Sequence, residues 1–267
     1  GTQAGAAVKA DGYGLGARPV VRALWQAGCR DFFVAHPHEG VVVREELADA
    51  RIHILNGPLP DAVDAYLRHN LIPVPNTLGD LQLWQDAARK RDTKLAADLH
   101  IDTGMCRLGL DLGETEMFLG NAEQYLQGID LQLVMSHLAS ADDPASDQSA
   151  RQLSLYQQAF KRLGRGLGSF CNSSGIFLGT DYHFDVARPG IALYGGKPTP
   201  QTAHPLRNPL RPPDPAFAGL QVRGAATSAS GAAPPAAAPS SRLRSGLVDT
   251  TADVWVSRRP RSSALES

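Results

Sequence analysis

Lys9 closes a short apolar run and precedes a glycine-rich turn at residues 11–16, DGYGLG. A lysine at the carboxyl end of a barrel strand projects into the mouth of the barrel, where active sites lie. Apolar surroundings favour the neutral amine, which can form a Schiff base with an aldehyde cofactor. Spacing alone favours a plainer interpretation, a solvated lysine before a turn. The spacing is GxGxG rather than GxGxxG, and no Gly-Lys-Ser/Thr follows, so we reject both common nucleotide-binding motifs.

The segment Ala7–Gly16, AVKADGYGLG, resembles the pyridoxal-phosphate signature of alanine racemases, AVVKADAYGHG. In that family the lysine carries pyridoxal 5'-phosphate through a Schiff base, and the tyrosine four residues later contacts the phosphate. The resemblance therefore implies these roles for Lys9 and Tyr13. Leu15 stands where the family often has histidine, which affects a contact outside the immediate cofactor shell.

A second segment, residues 100–109 with the sequence HIDTGMCRLG, resembles the racemase pattern KxDTGMxRxG. A lone arginine at such a junction is usually a surface ion pair. The resemblance implies instead that Arg107 orients the substrate carboxylate and the second catalytic base, work that suits the fixed donors of a guanidinium. His100 departs from the pattern, because many members have a lysine there, in some cases carbamylated. A histidine cannot form that adduct, so Arg107 must be supported differently.

A third segment, residues 135–142 with the sequence MSHLASAD, resembles the family segment T/S-H-x-A-x-A-D. The resemblance implies that His137 lies against the cofactor ring and takes part in catalysis. A single histidine after an apolar strand is ordinarily a packed or capping residue, and we interpret His53 and His183 in that way.

Two late segments, CNSSG at 171–175 and FDVARPGIALYG at 184–195, resemble the family patterns NSxG and D-x-x-RPGI-x-x-YG. Late loops of such barrels commonly bind phosphate through backbone N–H groups and a short helix. The resemblance implies that these loops bind the cofactor through Asn172, Ser173, Gly190 and Ile191.

The same resemblance implies that Arg188 faces the pyridine nitrogen of the cofactor. An arginine stays protonated, so it can donate a hydrogen bond to that nitrogen but cannot transfer a proton to it. The resulting electron sink is weaker than with an aspartate partner. Such a sink suits a racemase, because a racemase forms a carbanion only briefly and side reactions of that carbanion compete with racemisation.

The elements that must position these residues alternate in type. Helical stretches with apolar residues at three- and four-residue spacing separate most of the β-rich runs. One helix is predicted to begin near Ser146 or Asp147. Alternation predicts a parallel α/β sheet, and eight runs predict a (β/α)8 TIM barrel over residues 1–197, with an open doubly wound sheet as the alternative. The runs are Ala6–Lys9, Asp31–His36, Ile52–Asn56, Leu71–Pro75, Leu95–Ile101, Leu131–His137, Ser169–Asn172 and His183–Ala187.

Composition excludes several classes of protein. The chain has 267 residues, of which 43% are hydrophobic, so it is not wholly disordered. A net charge of −1 gives no basic field for nucleic acid. No apolar run reaches the roughly 18–20 residues of a membrane span, and we find no signal peptide. Three widely spaced cysteines indicate a reducing cytoplasm and neither disulfides nor a metal site. The first methionine is Met105, so we expect the N-terminus to be incomplete.

The composition changes near residue 200. Residues 201–267 contain eight arginines, no lysine and four acidic residues, and 35 of these 67 are Ala, Pro, Ser or Gly. We predict that residues 198–267 are a low-complexity Ala/Pro/Ser/Arg tail, largely disordered, that replaces the β-domain of the racemase family. Such a composition is typical of a GC-rich coding region translated in the wrong frame, which sequencing of the gene would test.

Racemases of this family use a tyrosine from the C-terminal domain of the partner subunit as the second base, and no tyrosine follows Tyr194 here. We therefore predict an alanine racemase that interconverts L- and D-alanine through a pyridoxal-phosphate Schiff base on Lys9, impaired by loss of that domain. A homodimer is expected from the family but is doubtful for this chain. The alternatives are a non-catalytic barrel that binds pyridoxal phosphate for cofactor homeostasis and an inactive fragment.

Overall fold

The structure is a computed structural model that describes residues 1–143 and 145–199. The predicted barrel domain, residues 1–197, lies within these ranges except for Pro144. The predicted tail, residues 198–267, lies outside the described residues apart from its first two positions. Its disorder and its origin in a shifted frame therefore stay predictions.

Eight strands alternate with helices along the described chain, and every strand ladder is parallel. All eight predicted runs contain strand residues, although most strands end one to three residues earlier than the runs do. The strands are β1, in two segments Gln3–Ala4 and Ala6–Ala7, β2 Asp31–Val34, β3 Arg51–Ile54, β4 Ile72–Pro73, β5 Leu95–His100, β6 Ile129–Met135, β7 Leu167–Ser169 and β8 Val186–Ala187.

The sheet closes on itself because β1 pairs on both sides. Ala6 is in register with Phe32 of β2, and Gln3 is in register with Val186 of β8. A strand that joins the second and the last strands of a parallel series makes the sheet a barrel rather than an open sheet.

Isolated backbone hydrogen bonds complete the two joints at which no regular ladder forms. The His100 N–H donates to the Pro75 carbonyl at 3.1 Å between β4 and β5. The Asp185 N–H donates to the Gly168 carbonyl at 2.9 Å between β7 and β8. The fold is thus an α/β barrel, which confirms the (β/α)8 prediction and excludes the doubly wound sheet.

Helices surround the strands and occupy the loops at their carboxyl ends. Four are one-turn 3-10 helices, at Pro60–Ala62, Gly175–Phe177, Thr180–Tyr182 and Ile191–Tyr194. The others are α1 Lys9–Tyr13, α2 Ala17–Gln26, α3 Pro37–Glu46, α4 Val63–Arg68, α5 Leu78–Arg91, α6 Leu112–Gly120, α7 Ala122–Tyr125 and α8 Gln148–Leu163.

Helix α8 shows how apolar spacing places a helix on the barrel. Tyr156 and Leu163 are buried, as their spacing on one face predicts. Asp147 occupies the N-cap position as predicted, but its side chain makes no capping bond. The Ser146 Oγ instead accepts from the Gln148 N–H at 3.3 Å.

The core lies within the barrel and between the barrel and its helices. Its largest fully buried side chains include Trp84, Tyr66 and Tyr156. All three also satisfy their polar atoms: Trp84 Nε1 donates to the Ala96 carbonyl at 3.0 Å, and the hydroxyls of Tyr66 and Tyr156 donate to the carbonyls of Gly57 at 2.5 Å and Val134 at 2.6 Å. Burial of each aromatic ring stabilises the fold by about 1.5–3 kcal/mol.

A buried charge cluster connects three strands. His53 Nδ1 lies 2.7 Å from Asp98 Oδ2, and its Nε2 lies 3.2 Å from Asp31 Oδ1. Burial alone would lower the pKa of His53, but the two carboxylates outweigh it and raise that pKa to about 9. His53 was predicted to be an ordinary packed histidine. It is packed as predicted, and it is also positively charged and lies between two aspartates.

Three further observations concern the described residues only. Cys29, Cys106 and Cys171 are all free thiols. No group of three or more His, Cys, Asp or Glu side chains is arranged to hold a metal ion in residues 1–143 and 145–199. None of the helices in these ranges is both long and apolar enough to cross a membrane.

Candidate active site

The predicted site residues all lie in segments that follow the carboxyl ends of barrel strands. Because every strand is parallel, these segments lie at the same end of the barrel, where the active sites of such barrels are found. Lys9 and Tyr13 follow β1, Arg107 follows β5 and His137 follows β6. Two residues, Asn172 and Ser173, follow β7, and three more follow β8, namely Arg188, Gly190 and Ile191.

Lys9 begins a strained turn. Val8 still belongs to the sheet, since its N–H donates to the Phe33 carbonyl at 2.9 Å. The four residues after Lys9 have φ angles of 52–63°, in the left-handed region: Ala10, Asp11, Gly12 and Tyr13. Left-handed helical geometry costs L-amino acids roughly 1–2 kcal/mol per residue. Such a run persists only where the surroundings fix it, and this fixes the direction in which Lys9 leaves β1.

Tyr13 connects this turn to the loop after β8. Its ring stacks on that of Tyr194, with centroids 4.5 Å apart. The Tyr194 hydroxyl donates to the Ala7 carbonyl at 2.8 Å, which ties the last 3-10 helix to β1. A β-carbon at Gly190 would lie 3.1 Å from Cζ of Tyr13 and closer still to its hydroxyl. Glycine is therefore required where the two loops meet.

Ser173 organises the loop after β8. It is buried, and its Oγ accepts hydrogen bonds from the N–H groups of Gly190 at 2.8 Å and Ala192 at 3.2 Å. The intervening N–H of Ile191, the first residue of its 3-10 helix, forms no hydrogen bond within the described residues. That donor is available to an anionic ligand, as at other helix starts.

Asn172 holds two loops together. Its Nδ2 donates to the Leu138 carbonyl at 3.3 Å, and its Oδ1 accepts from the Gly175 N–H at 3.0 Å. The amide thus joins the loop after β6 to the loop after β7. A cofactor contact of Asn172 stays a prediction, because both ends of its side chain bind protein backbone.

Arg188 is buried, and its guanidinium spans the ends of neighbouring strands. Nη1 donates to Ser169 Oγ at 2.6 Å, and Nη2 donates to the carbonyls of Ser136 at 2.5 Å and Phe170 at 3.4 Å. The Nε–H forms no hydrogen bond within residues 1–143 and 145–199. A permanently charged group is therefore fixed in place, and its Nε–H is still available to a ligand atom.

His137 is positioned by a glutamine of α8. Gln152 Nε2 donates to the His137 carbonyl at 2.8 Å and to Thr103 Oγ1 at 3.2 Å. Its Oε1 accepts from the Ala139 N–H at 2.9 Å. Burial, and then the positive charges of Arg188 and other cations of the site, hold the pKa of His137 well below its ordinary value. His137 is therefore a neutral imidazole at physiological pH.

His100 is also neutral, and its tautomer follows from its partner. Asn76 Nδ2 donates to the carbonyls of Leu55 at 3.0 Å and Val74 at 2.9 Å. This orientation turns Asn76 Oδ1 towards His100 Nδ1, 2.9 Å away, so Nδ1 carries the proton. Burial, together with the charges of Arg188 and Arg107, lowers the pKa of His100 to about 3.

Arg107 lies on a loop that one carboxylate organises. Asp102 accepts hydrogen bonds at 2.8–3.2 Å from three successive backbone N–H groups, those of Gly104, Met105 and Cys106. The Arg107 guanidinium makes no hydrogen bond or ion pair within the described part of the chain. Its charge nevertheless acts on both His100 and His137, which places it near them.

The arrangement can bind an anionic ligand and exchange protons with it. The charges of Lys9, Arg107 and Arg188 all act on the neutral imidazole of His137. Two of these groups, Arg107 and Arg188, also act on the neutral imidazole of His100. The positive charges of such a mouth attract a ligand with a phosphate or carboxylate group. A lysine amine can react with an aldehyde to form a Schiff base.

Sequence reasoning missed three residues that position the site: Asn76, Gln152 and Glu39. Gln152 could have been found from the sequence, because a polar residue on the buried face of α8, one turn before Tyr156, needs a buried partner. Glu39 could also have been found, because it is the third residue of a helix that starts just after a strand. No sequence pattern indicates Asn76, whose partner His100 is 24 residues away.

Comparisons with known proteins identify the family. Residues 1–198 match the family model "Alanine racemase, N-terminal domain". The alanine racemase of Rhodospirillum rubrum is 46% identical over 212 residues, which cover 79% of this chain and 56% of that protein. The catabolic alanine racemase of Agrobacterium fabrum is 45% identical over 211 residues, or 79% of this chain and 54% of that protein.

Solved structures agree with this match. The alanine racemase of Bartonella henselae, whose structure has covalently bound pyridoxal phosphate, aligns with a TM-score of 0.71 at 38% identity. The alignment covers 74% of this chain and 57% of that one. The biosynthetic alanine racemase of Pseudomonas aeruginosa aligns with a TM-score of 0.68 at 31% identity, over 76% and 56% of the two chains.

The matched region and the barrel coincide. The chain spans slightly more than half the length of the curated relatives it matches. The family match covers all eight strands and every predicted site residue. This chain belongs to the alanine racemase family, whose N-terminal domain it contains.

Proposed function

We propose that this chain binds pyridoxal 5'-phosphate at the barrel mouth and holds it covalently as a Schiff base on Lys9. The observation that carries the proposal is the position of Lys9, which leaves β1 through a fixed left-handed turn into a mouth with cationic side chains. The Bartonella relative supports it, because that structure has the cofactor covalently bound.

The residues present fit the cofactor. Ser173 holds the Gly190 and Ala192 N–H groups in place, and the neighbouring Ile191 N–H is available for a phosphate oxygen. The stacked ring of Tyr13 lies beside this loop. Arg188 retains its Nε–H as a donor for a ring nitrogen. When bound, pyridoxal phosphate supplies an electron sink that makes the α-proton of an amino acid acidic.

We propose the following roles for the residues around the substrate, which the names of the relatives suggest is alanine. Arg107 orients the substrate carboxylate through its guanidinium, which has no other partner within the described residues. His137, which is neutral, lies against the cofactor ring and adds no charge to it. Lys9 removes and returns a proton at one face of the α-carbon.

Racemisation needs a second proton donor at the opposite face, and we propose that this chain alone supplies it poorly. No tyrosine occurs among residues 195–267. Of the tyrosines near the mouth, Tyr13 and Tyr194 stack on each other, and burial raises the pKa of Tyr194 far above its ordinary value. We propose racemase activity that is weak in this chain, a cytoplasmic location and the homodimer expected from the family.

The first prediction concerns Lys9. Pyridoxal phosphate added to the purified chain should give the visible absorbance band of a protonated Schiff base, and borohydride should then fix the cofactor on Lys9, as peptide mass spectrometry would show. Lys9→Ala should abolish both signals, because no other amine occupies that position. Lys94→Ala removes an exposed lysine and should change neither. A band that survives Lys9→Ala would refute the assignment.

The same preparation separates an enzyme from a non-catalytic cofactor barrel. In D2O, an enzyme with one working base exchanges the α-proton of L-alanine faster than it forms D-alanine, and proton NMR with a D-amino-acid oxidase assay measures both. A barrel that only stores the cofactor gives the absorbance band without exchange. Full racemase turnover would show that a residue other than a C-terminal tyrosine serves the second face.

A further inference from the structure

Glu39 makes a contact that its helix does not need. It is the third residue of α3, and its Oε2 accepts from the N–H groups of Ala35 at 2.8 Å and His36 at 2.9 Å. These bonds cap the start of α3, as a glutamate at this position commonly does. Its Oε1 accepts from the N–H of Ala10 at 2.6 Å. That bond reaches a different βα unit and satisfies no donor of α3.

The Ala10 N–H belongs to the peptide unit that joins Lys9 to Ala10. Ala10 is also the first residue of the left-handed run. Hydrogen bonds within the run, such as Gly12 N–H to the Val8 carbonyl at 3.0 Å, set its shape. They do not fix its orientation relative to the rest of the barrel. The Glu39 carboxylate does so at the peptide next to Lys9.

We propose that Glu39 is a positioning residue for Lys9: it holds the peptide after the lysine, and thereby keeps the amine where it reacts with an aldehyde. The inference rests on the proposed function of Lys9. Charge-assisted bonds from a carboxylate to backbone N–H groups are shorter and stronger than neutral ones, which suits a contact that must hold a strained turn. One side chain thus couples the start of α3 to the lysine.

The geometry explains why a glutamine would not suffice. The carboxylate uses one oxygen for the α3 cap and the other for Ala10. An amide has a single acceptor oxygen, and its NH2 group would face a backbone N–H on the other side. Glu39→Gln therefore keeps either the cap or the Ala10 bond, but not both, while it preserves the size of the side chain.

The experiment compares wild type, Glu39→Gln and Glu39→Ala in three measurements. The rate of borohydride-trapped attachment of pyridoxal phosphate to Lys9 reports on the amine. The affinity for pyridoxamine 5'-phosphate, which has no aldehyde, reports on the rest of the pocket. Amide hydrogen exchange in residues 9–16 of the ligand-free chain reports on the turn. We expect Glu39→Ala to attach the cofactor about tenfold more slowly, as loss of a charged hydrogen bond implies, and Glu39→Gln to attach it at a rate between those of Glu39→Ala and wild type.

We further expect faster exchange in residues 9–16 and an affinity for pyridoxamine 5'-phosphate within about twofold of wild type. Asp111→Ala is the matched control, because Asp111 caps α6 by accepting from the Glu114 N–H at 2.8 Å and lies far along the chain from Lys9. Asp111→Ala should lose about as much stability from its helix cap as the Glu39 variants lose from theirs, without slowing attachment of the cofactor to Lys9.

The outcomes are distinct. An unchanged attachment rate in both Glu39 variants, equal slowing in Asp111→Ala, or a parallel loss of pyridoxamine phosphate affinity would each overturn the positioning role. If wild type itself is not labelled at Lys9, the proposed function fails and this inference fails with it. Labelled wild type together with unaffected Glu39 variants would leave the proposed function intact and refute the inference alone.

Discussion

At the scale of single residues, the site depends on polar groups whose hydrogen-bond roles are determined by their neighbours. The two carbonyls that accept from Asn76 Nδ2 orient its oxygen towards His100, and this decides which nitrogen of His100 carries the proton. An imidazole held in this state adds no positive charge beside Arg107. Its Nε2 keeps a lone pair that can accept a hydrogen bond.

We expect Asn76→Ala to destabilise the protein by about 1–3 kcal/mol, because the buried His100 Nδ1–H and two carbonyls lose their partner. It should also remove the preference for one His100 tautomer. Urea denaturation measures the first effect, and the 15N chemical shifts of the imidazole measure the second. Gln82→Ala, which removes an exposed amide from α5, should cost less than about 0.5 kcal/mol. Unchanged His100 shifts in Asn76→Ala would contradict the assignment of the tautomer.

Motifs predicted the residues that resemble the family, but not the residues that hold them. Lys9 and Arg188 stand in short segments whose resemblance is local, so the sequence alone is sufficient to single them out. Asn76, Gln152 and Glu39 act across the barrel, and each binds groups that a linear pattern does not bring together. The charge of His53 was not predicted for the same reason, because its two aspartates lie 22 and 45 residues away.

At the scale of elements, loops rather than strands set the positions of the proposed catalytic groups. The loop after β5 carries Arg107 and returns to the strand end through two backbone bonds at 2.8 Å, from the Asp102 N–H to the Leu110 carbonyl and from the Leu110 N–H to the His100 carbonyl. Gly109 sits where this return is tightest and has a φ of +105°.

We expect Gly109→Ala to destabilise the protein by about 1–3 kcal/mol and to weaken binding of anionic ligands at the mouth. A β-carbon there would lie 2.7 Å from the Asp102 nitrogen, so the loop with Arg107 must move. Chemical denaturation and the affinity for pyridoxamine 5'-phosphate test the two effects. Gly120→Ala is the matched control, because a β-carbon at this end of α6 meets nothing within 4 Å. Equal behaviour of the two variants would refute the steric explanation.

Element types were predictable from the sequence, whereas their limits were not. Every predicted β-rich run contains a strand, since buried parallel strands are short continuous apolar runs. Yet β4 and β8 keep only two residues each, because neighbours in the closed sheet, rather than propensity, decide where pairing stops. The left-handed turn at Lys9–Tyr13 was not predicted. Only Gly12 in its left-handed run is a glycine, and local preference opposes it elsewhere in that run.

At the scale of the whole barrel, buried histidines of opposite character make stability depend on pH in two directions. His53 is charged between two aspartates, and the pKa of about 9 means that the native state binds its proton more tightly than the unfolded chain does. His100, with a pKa of about 3, binds its proton less tightly in the native state than when unfolded. Both compare with an ordinary histidine pKa near 6.5.

We therefore expect the free energy of unfolding to be greatest near pH 6.5. As the pH rises from there through about 9, the stabilisation from charged His53 is lost. As the pH falls from there towards 3, the unfolded chain takes up protons at His100 and His137 that the native state does not bind. Each group contributes a slope of at most about 1.4 kcal/mol per pH unit. Urea unfolding measured from pH 4 to pH 9.5 gives the curve.

Single substitutions assign the two limbs of this curve. His53→Gln should flatten the alkaline limb: it should lower stability by about 3–5 kcal/mol near pH 6.5, because Asp31 and Asp98 lose a charged buried partner, and by less above pH 9. If that variant does not fold, Asp98→Asn tests the same limb, since it removes the charge nearest to His53. His100→Gln should make the acid limb shallower, because only one of the two neutral histidines then contributes to it, and should leave the alkaline limb unchanged. His38→Gln, on the exposed surface of α3, should change neither limb. An alkaline limb that keeps its slope in both His53→Gln and Asp98→Asn would show that His53 is not charged in the folded barrel.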